Sequence, residues 1–180
     1  MRIEELPLKG ARLIYPDIFS DERGFFFESY HEPRYREAGV ACAFVQDNHA
    51  RSILGAVRGL HFQRGPGQAK LLRVTSGRIF DVIVDIRPDS PTFGKWHGAY
   101  LDATEHRQLF IPVGFAHGYC TVSDIAEVHY KVSAVYDKDL ERAIRWDDPE
   151  IGIAWPVANA IVSARDATAP TMGQLHEQLA

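Results

Sequence analysis

Apolar runs in this chain last only a few residues before Gly, Pro, Asp or Ser interrupts them, so little of it can form long helix. Short strands joined by turns are what such a pattern supports, and over 180 residues it predicts a β-sandwich or barrel. The run RIFDVIVDIR, residues 78–87, is the clearest case. Alternation puts Phe80, Val82, Val84 and Ile86 on one face, with Asp81, Asp85 and Arg87 opposite beside Ile79 and Ile83, which reads as a strand with one apolar face. Comparable strands are expected over residues 11–15, 24–30, 44–49, 57–63, 70–75, 96–101, 108–113, 118–122, 126–136 and 142–146. Turns fall between them at Ser76-Gly77, residues 88–91, Ser123-Asp124 and residues 147–150. One short helix is expected from Pro33 to near Gly39, and another after Pro170, where Met172, Leu175 and Leu179 recur at helical spacing. No repeat, low-complexity tract or linker divides the chain, so a single domain over residues 1–180 is expected.

A hydrophobic content of 46% gives this domain material for a sizeable core. No segment approaches the roughly 20 apolar residues of a membrane span, and the N-terminus lacks a signal-peptide apolar region, so a cytoplasmic location is expected, with no membrane contact. Cys42 and Cys120 are too few for a disulfide framework and are expected to be buried free thiols. With 20 basic against 24 acidic residues the net charge is −4, which argues against nucleic acid as a partner. An anionic small ligand in a locally basic pocket remains compatible with that balance.

Strand parity shows which polar side chains share a face with apolar ones. In KLLRVT, Lys70 lies with Leu72 and Val74, either projecting inward or snorkelling to water from the start of the strand. In VHYKVSAVY, Tyr130 and Tyr136 lie with Val128, Val132 and Ala134, where buried tyrosines commonly serve packing. His61, in RGLHFQ, opposes Leu60 and Phe62, and the intervening Gly59 is a candidate bulge that re-aims Arg58 or His61.

Eight histidines in a β-rich chain raise the possibility of a metal-binding cupin. Their spacing argues against it, since they are dispersed singly and Gln63 stands where a second histidine would follow His61. Proton transfer at a carbon next to a carbonyl is the second reading, because it needs a base, an acid on the opposite face and a group that stabilises an enolate. A non-catalytic carbohydrate-binding jelly roll is the third.

Nine segments in order resemble the dTDP-4-dehydrorhamnose 3,5-epimerase family across nearly the whole chain. They are DERGFFFESY from Asp21, FVQDNHA from Phe44, GAVRGLHFQ from Gly55, QAKLLRV from Gln68, FDVIVDIR from Phe80, SPTFGKW from Ser90, LFIPVGFAHGY from Leu109, EVHYKVSAVYD from Glu127 and IRWDDPEIGIAWP from Ile144. The resemblance implies an all-β, cupin-like jelly-roll sandwich with a few short helices, normally a homodimer, that uses no metal or organic cofactor. It implies a dTDP-4-keto-6-deoxyhexose substrate whose carbon-4 ketone acidifies the hydrogens on carbons 3 and 5. Relatives on this scaffold that epimerise a single carbon keep that alternative open.

By the same resemblance His61 matches the base, Tyr130 the acid, Asp166 the carboxylate that orients the base, and Lys70 the cation beside the ketone oxygen. Arg23, Glu28, Gln46, Asn48, Arg58, His117 and Glu141 match substrate-binding positions, Tyr136 the pocket wall, and Arg165 a position where the family commonly has lysine. Ala50 stands where serine is frequent, and the loop between Gln63 and Lys70 is about one residue shorter, so ligand recognition is where this chain departs from the pattern.

Overall fold

A computed structural model describes residues 1–179 of the chain. Thirteen strands are present: β1 (Arg2–Glu5), β2 (Arg12–Tyr15), β3 (Phe19–Asp21), β4 (Gly24–Phe26), β5 (Gln46–Ile53), β6 (Val57–Gln63), β7 (Lys70–Ser76), β8 (Arg78–Asp85), β9 (Trp96–Asp102), β10 (Gln108–Ile111), β11 (Phe115–Thr121), β12 (Ile125–Val132) and β13 (Glu141–Ala143). Three short helices accompany them, α1 (Glu32–Glu37), α2 (Ala164–Ala167) and α3 (Met172–Leu179). The strands form a six-stranded sheet, β1-β2-β10-β7-β12-β5, a five-stranded sheet, β13-β6-β11-β8-β9, and the β3–β4 hairpin. Every pairing between named strands is antiparallel, which makes the fold the expected all-β sandwich with a jelly-roll layout.

Three apolar layers hold it together. Between the sheets, Leu13, Leu72, Val74, Leu109 and Val128 meet Ile79, Ile83, Leu101 and Tyr119. Outside the five-stranded sheet, Leu60, Phe62, Phe80, Val82 and Val84 are covered by Ile144, Ile151, Met172 and Leu175. Outside the six-stranded sheet, Ile14, Leu71 and Phe110 lie beneath Tyr35 and Val40 from α1 and its exit. Strand β8 is therefore buried on both faces, and the expectation of one apolar face is corrected: Asp81 and Asp85 are fully buried. The Ile79–Asp81–Ile83 face looks into the sandwich, and the Phe80 face meets a second layer that alternation alone does not reveal.

Other boundaries move for identifiable reasons. Helix α1 ends at Glu37, and Gly39, at φ +84°, turns the chain so closely against Arg12 that a Cβ there would overlap the guanidinium. Arg12 in turn donates to the Ala38 carbonyl at 2.9 Å, a cation at a helix C-terminus. The strand expected over 126–136 stops at Val132, because the chain there leaves one sheet for the other. The strand expected over 24–30 stops at Phe26, where pairing with β3 runs out opposite Phe19. Strands β1 and β3 leave no signal in the sequence because each is short and offers little apolar alternation, and α2 leaves none because it is one turn long. The second predicted helix matches α3, with Met172 and Leu175 buried; the Leu179 side chain lies outside the described residues.

Asp148 fastens the covering layer to the sheet. Its carboxylate is 2% exposed and accepts from the backbone N–H groups of Glu150 (2.8 Å), Ile151 (3.1 Å) and Met172 (2.6 Å), joining the segment after β13 to the start of α3. Asp148→Ala strands three donors and is expected to cost about 2–4 kcal/mol in urea unfolding, with Asp148→Asn costing less. An unchanged midpoint in Asp148→Ala would contradict this role.

Candidate active site

Both sheets turn polar side chains toward one end of the inter-sheet space. Strand β7 supplies Lys70, which takes the inward of the two placements that parity leaves open, beside Leu72 and Val74, and is 7% exposed. Strand β12 supplies Tyr130, packed against the same core. From the opposite sheet come His61 on β6, His117 on β11 and Asp81 on β8, with His61 and His117 directly paired in register. Lys70 Nζ donates to the His61 carbonyl at 3.4 Å, and so connects the sheets.

His61 is held from behind. One ring nitrogen, Nε2, lies 2.7 Å from Asp166 Oδ1, while Asp166 Oδ2 accepts from the Gly59 N–H at 3.3 Å. Asp166 reaches this position on α2, whose N-cap Ser163 accepts from the Asp166 N–H at 3.1 Å. Burial works to raise the Asp166 carboxyl, but His61 and the Gly59 N–H outweigh it and hold it below the usual carboxylate range. An anionic Asp166 fixes one imidazole proton toward itself and leaves the other ring nitrogen as an acceptor, the tautomer a base requires.

Gly59 makes this geometry possible. Its φ is +128°, and a Cβ would stand 2.5 Å from Gly118 Cα on the neighbouring strand. The β6–β11 register shifts across this point, so the bulge anticipated at Gly59 is present. As a result Arg58 and His61, which simple alternation separates, line one cavity of about 380 Å³ together with Ser163, Arg165 and Asp166. Arg58 is steadied by its Nε bond to Ser52 Oγ at 2.9 Å.

Buried charge dominates the electrostatics. Burial lowers the Lys70 ammonium to about 8, against the pull of Asp81 and Glu141, so it remains predominantly charged at neutral pH. Burial likewise pushes the Asp81 carboxyl up and the His117 imidazole down, opposed by the mutual attraction of the pair, whose closest contact is 2.9 Å. Burial raises the Tyr130 phenol, with Tyr119 adding to the shift, which keeps it a proton donor. At the mouth, Glu141 Oε2 accepts from Arg165 Nη1 (2.7 Å) and Tyr136 Oη (2.8 Å). Gln46 and Asn48 face inward on β5, bonded to each other at 2.9 Å, and Asn48 pairs with Tyr130.

Eleven of the anticipated residues thus lie around one end of the sandwich, Gln46, Asn48, Arg58, His61, Lys70, His117, Tyr130, Tyr136, Glu141, Arg165 and Asp166, with Asp81 joining them unanticipated. Two do not reach it. Arg23 is exposed on the β3–β4 hairpin and paired with Asp21, and Glu28 is bonded to Arg34 at 2.8 Å. Phe27, between them, packs against His106 and lies under Arg73, beside the outer face of the six-stranded sheet. Asp81 carried a legible signal, since parity placed it with Ile79 and Ile83. Among the described residues no three His, Cys, Asp or Glu side chains gather in a manner able to hold one metal ion.

Residues 5–174 match the family model described as dTDP-4-dehydrorhamnose 3,5-epimerase. A Salmonella typhimurium dTDP-4-dehydrorhamnose 3,5-epimerase is 50% identical over 177 residues, covering 97% of each chain. A Shigella flexneri protein of the same name is 49% identical over 168 residues, 92% of this chain and 93% of its own. The solved dTDP-6-deoxy-D-glucose-3,5-epimerase of Legionella pneumophila, in complex with dTDP-4-keto-L-rhamnose, superposes with a TM-score of 0.95 at 42% identity, covering 99% of this chain and 96% of that one.

Lys70 offers a direct test of the electrostatics. Its pKa falls from 10.5 to about 8 on folding, so between those values the unfolded chain binds more protons and this group makes stability rise with pH. In protein labelled with carbon-13 lysine, one ε-carbon is expected to titrate near pH 8, against about 10.4 for exposed lysines. Lys70→Met is expected to remove that signal together with the rise in stability across the window. A full set of lysines titrating together would refute the burial effect.

Proposed function

The chain belongs to the dTDP-4-dehydrorhamnose 3,5-epimerase family and is an isomerase of dTDP-linked 4-keto-6-deoxy sugars, and from that premise we propose the following roles for its residues. The observation that carries them is the His61–Asp166 pair at 2.7 Å, with Asp166 buried and His61 partly open, and with Lys70 bonded to the His61 carbonyl from the facing sheet that also carries Tyr130. With the dTDP-4-keto-6-deoxyhexose bound, the free nitrogen of His61 takes the hydrogen from carbon 3 or carbon 5 as a proton. The electron pair moves onto the carbon-4 oxygen, where the Lys70 ammonium stabilises the enolate. Tyr130 then returns a proton from the opposite face, inverting the carbon. Solvent removes the proton from His61 and restores the one on Tyr130, so each cycle is a net isomerisation. Asp81 and Glu141 keep Lys70 charged at neutral pH against the effect of its burial, and burial keeps Tyr130 protonated. In this reading no metal or organic cofactor takes part.

Arg58, His117, Gln46, Asn48, Tyr136, Glu141 and Arg165 surround the base and are assigned to holding the nucleotide sugar, the arginines meeting the diphosphate. Arg23 and Glu28 lie away from this pocket, on or near a hairpin whose Phe19, Phe25 and Phe26 are all exposed. That apolar arm supports a homodimer in which the hairpin packs on the partner. A cytoplasmic location and a single functional domain complete the reading. No helix among the described residues is long and apolar enough to cross a membrane.

Incubation with dTDP-4-keto-6-deoxyglucose in deuterium oxide, followed by proton NMR, is expected to show deuterium at carbons 3 and 5. Label at one carbon would indicate a single-position epimerase, and label at neither would overturn the mechanism. His61→Asn is expected to reduce exchange about a thousandfold or more with dTDP affinity nearly unchanged, as measured by calorimetry. Retained turnover would remove His61 as the base. Phe26→Asp is expected to shift the protein toward monomer in light scattering, and an unchanged mass would place the subunit contact elsewhere.

A further inference from the structure

Between β12 and β13 the chain passes from the six-stranded to the five-stranded sheet, and residues 133–137 span the gap without a β-ladder. Backbone groups in such a crossing need partners, and here three glutamine side chains supply most of them. Gln68 donates to the Ala134 carbonyl (2.8 Å), Gln63 donates to the Val135 carbonyl (3.3 Å), Gln46 accepts from the Tyr136 N–H (2.9 Å), and Gln63 accepts from the Asp137 N–H (3.2 Å). Apolar burial does little to fix this strap, because Val135 and Tyr136 are 62% and 53% exposed.

Gln63 differs from the other two. It uses both ends of its amide on the strap, is 9% exposed, and stands two residues beyond His61 on the same inward face of β6. Its direct partner on β13 is Glu141, the carboxylate that holds Tyr136 Oη and Arg165. The connections therefore close a ring: Gln63 to the strap, the strap to Tyr136, Tyr136 to Glu141, and Glu141 back to Gln63 through the strand ladder.

We infer that Gln63 is a positioning residue for the sugar site, holding the strap in register so that Tyr136 stays on Glu141 beside His61. The inference rests on the epimerase reading for its kinetic consequence but not for its structural one. Gln63 performs no proton transfer, so its loss falls on binding of the sugar.

Two variants separate the possibilities. Gln63→Met keeps the length and removes both bonds; Gln63→Glu keeps the acceptor, loses the donor when ionised and regains it when protonated. For Gln63→Met, KM for the 4-keto-6-deoxy sugar nucleotide is expected to rise roughly 5- to 30-fold, with kcat changed less than about threefold. In amide hydrogen exchange on the ligand-free protein, residues 134–137 are expected to lose protection while β6, β8 and β11 keep theirs. The KM defect of Gln63→Glu relative to the unsubstituted protein is expected to shrink from about pH 8 to about pH 5. Unchanged exchange in the strap, protection lost throughout β6 and β8, or a fall in kcat at constant KM would each overturn the assignment. Because the exchange measurement needs no substrate, inactivity of the unsubstituted protein on the sugar would refute the epimerase reading and still leave the strap assignment decided.

Discussion

Lys70 carries its charge between two β-sheets, where water cannot solvate it fully, and this is tolerable because Asp81 and Glu141 pull its proton affinity back up. Much of the site follows from that arrangement. Asp81 has to be buried on the facing sheet to serve as counter-charge, and His117, 2.9 Å from Asp81, shares the same carboxylate. Strand β8 has to carry acids on its inward face while its outward face remains apolar, which requires the covering layer of Ile144, Ile151, Met172 and Leu175. An ammonium placed where an enolate is proposed to form is thus embedded in the packing of the whole sandwich.

Much of this was legible from alternation, and the rest was hidden by its physical nature. Parity puts Lys70 on the face of Leu72 and Val74, Tyr130 on that of Val128 and Val132, and His61 opposite Leu60 and Phe62, because a strand's period of two maps residues onto faces without further information; whether Lys70 turns inward or reaches water it leaves open. It also assigned Asp81 to the Ile79 face, although the meaning of a carboxylate there emerges only when Lys70 and His117 arrive from other strands. Asp166 was named through family resemblance alone: it reaches His61 from 105 residues away on a one-turn helix, and no local pattern announces such a contact. Gln63 stands where a metal-binding cupin would carry a second histidine, and alternation says no more of it. Its use, binding a strap backbone through both ends of an amide, depends on a crossing between sheets that alternation read as continuing strand.

Two glycines illustrate how a backbone detail becomes chemistry. Gly59 and Gly118 face one another across β6 and β11, and a side chain on either would collide with the other strand's backbone. Their absence of side chains lets the strands close up where the register slips, turns Arg58 and His61 toward one cavity and presents the Gly59 N–H to Asp166. Arg58 and the orientation of His61 therefore both depend on a position with no functional group of its own.

The three apolar layers are distributed unequally, and this makes the pocket mechanically lopsided. The sheet carrying His61 is packed on both sides over β6, β8 and β11, whereas β5, beside the Tyr130 strand, ends its sheet with alternate residues in solvent. Compliance is lowest where contacts are densest. The less covered wall is thus the β5 edge, which bears Gln46 and Asn48 beside Tyr130. In the proposed cycle the residues assigned as base and orienting carboxylate therefore keep a fixed reference position, and adjustment to the sugar falls to the β5 edge beside the assigned donor.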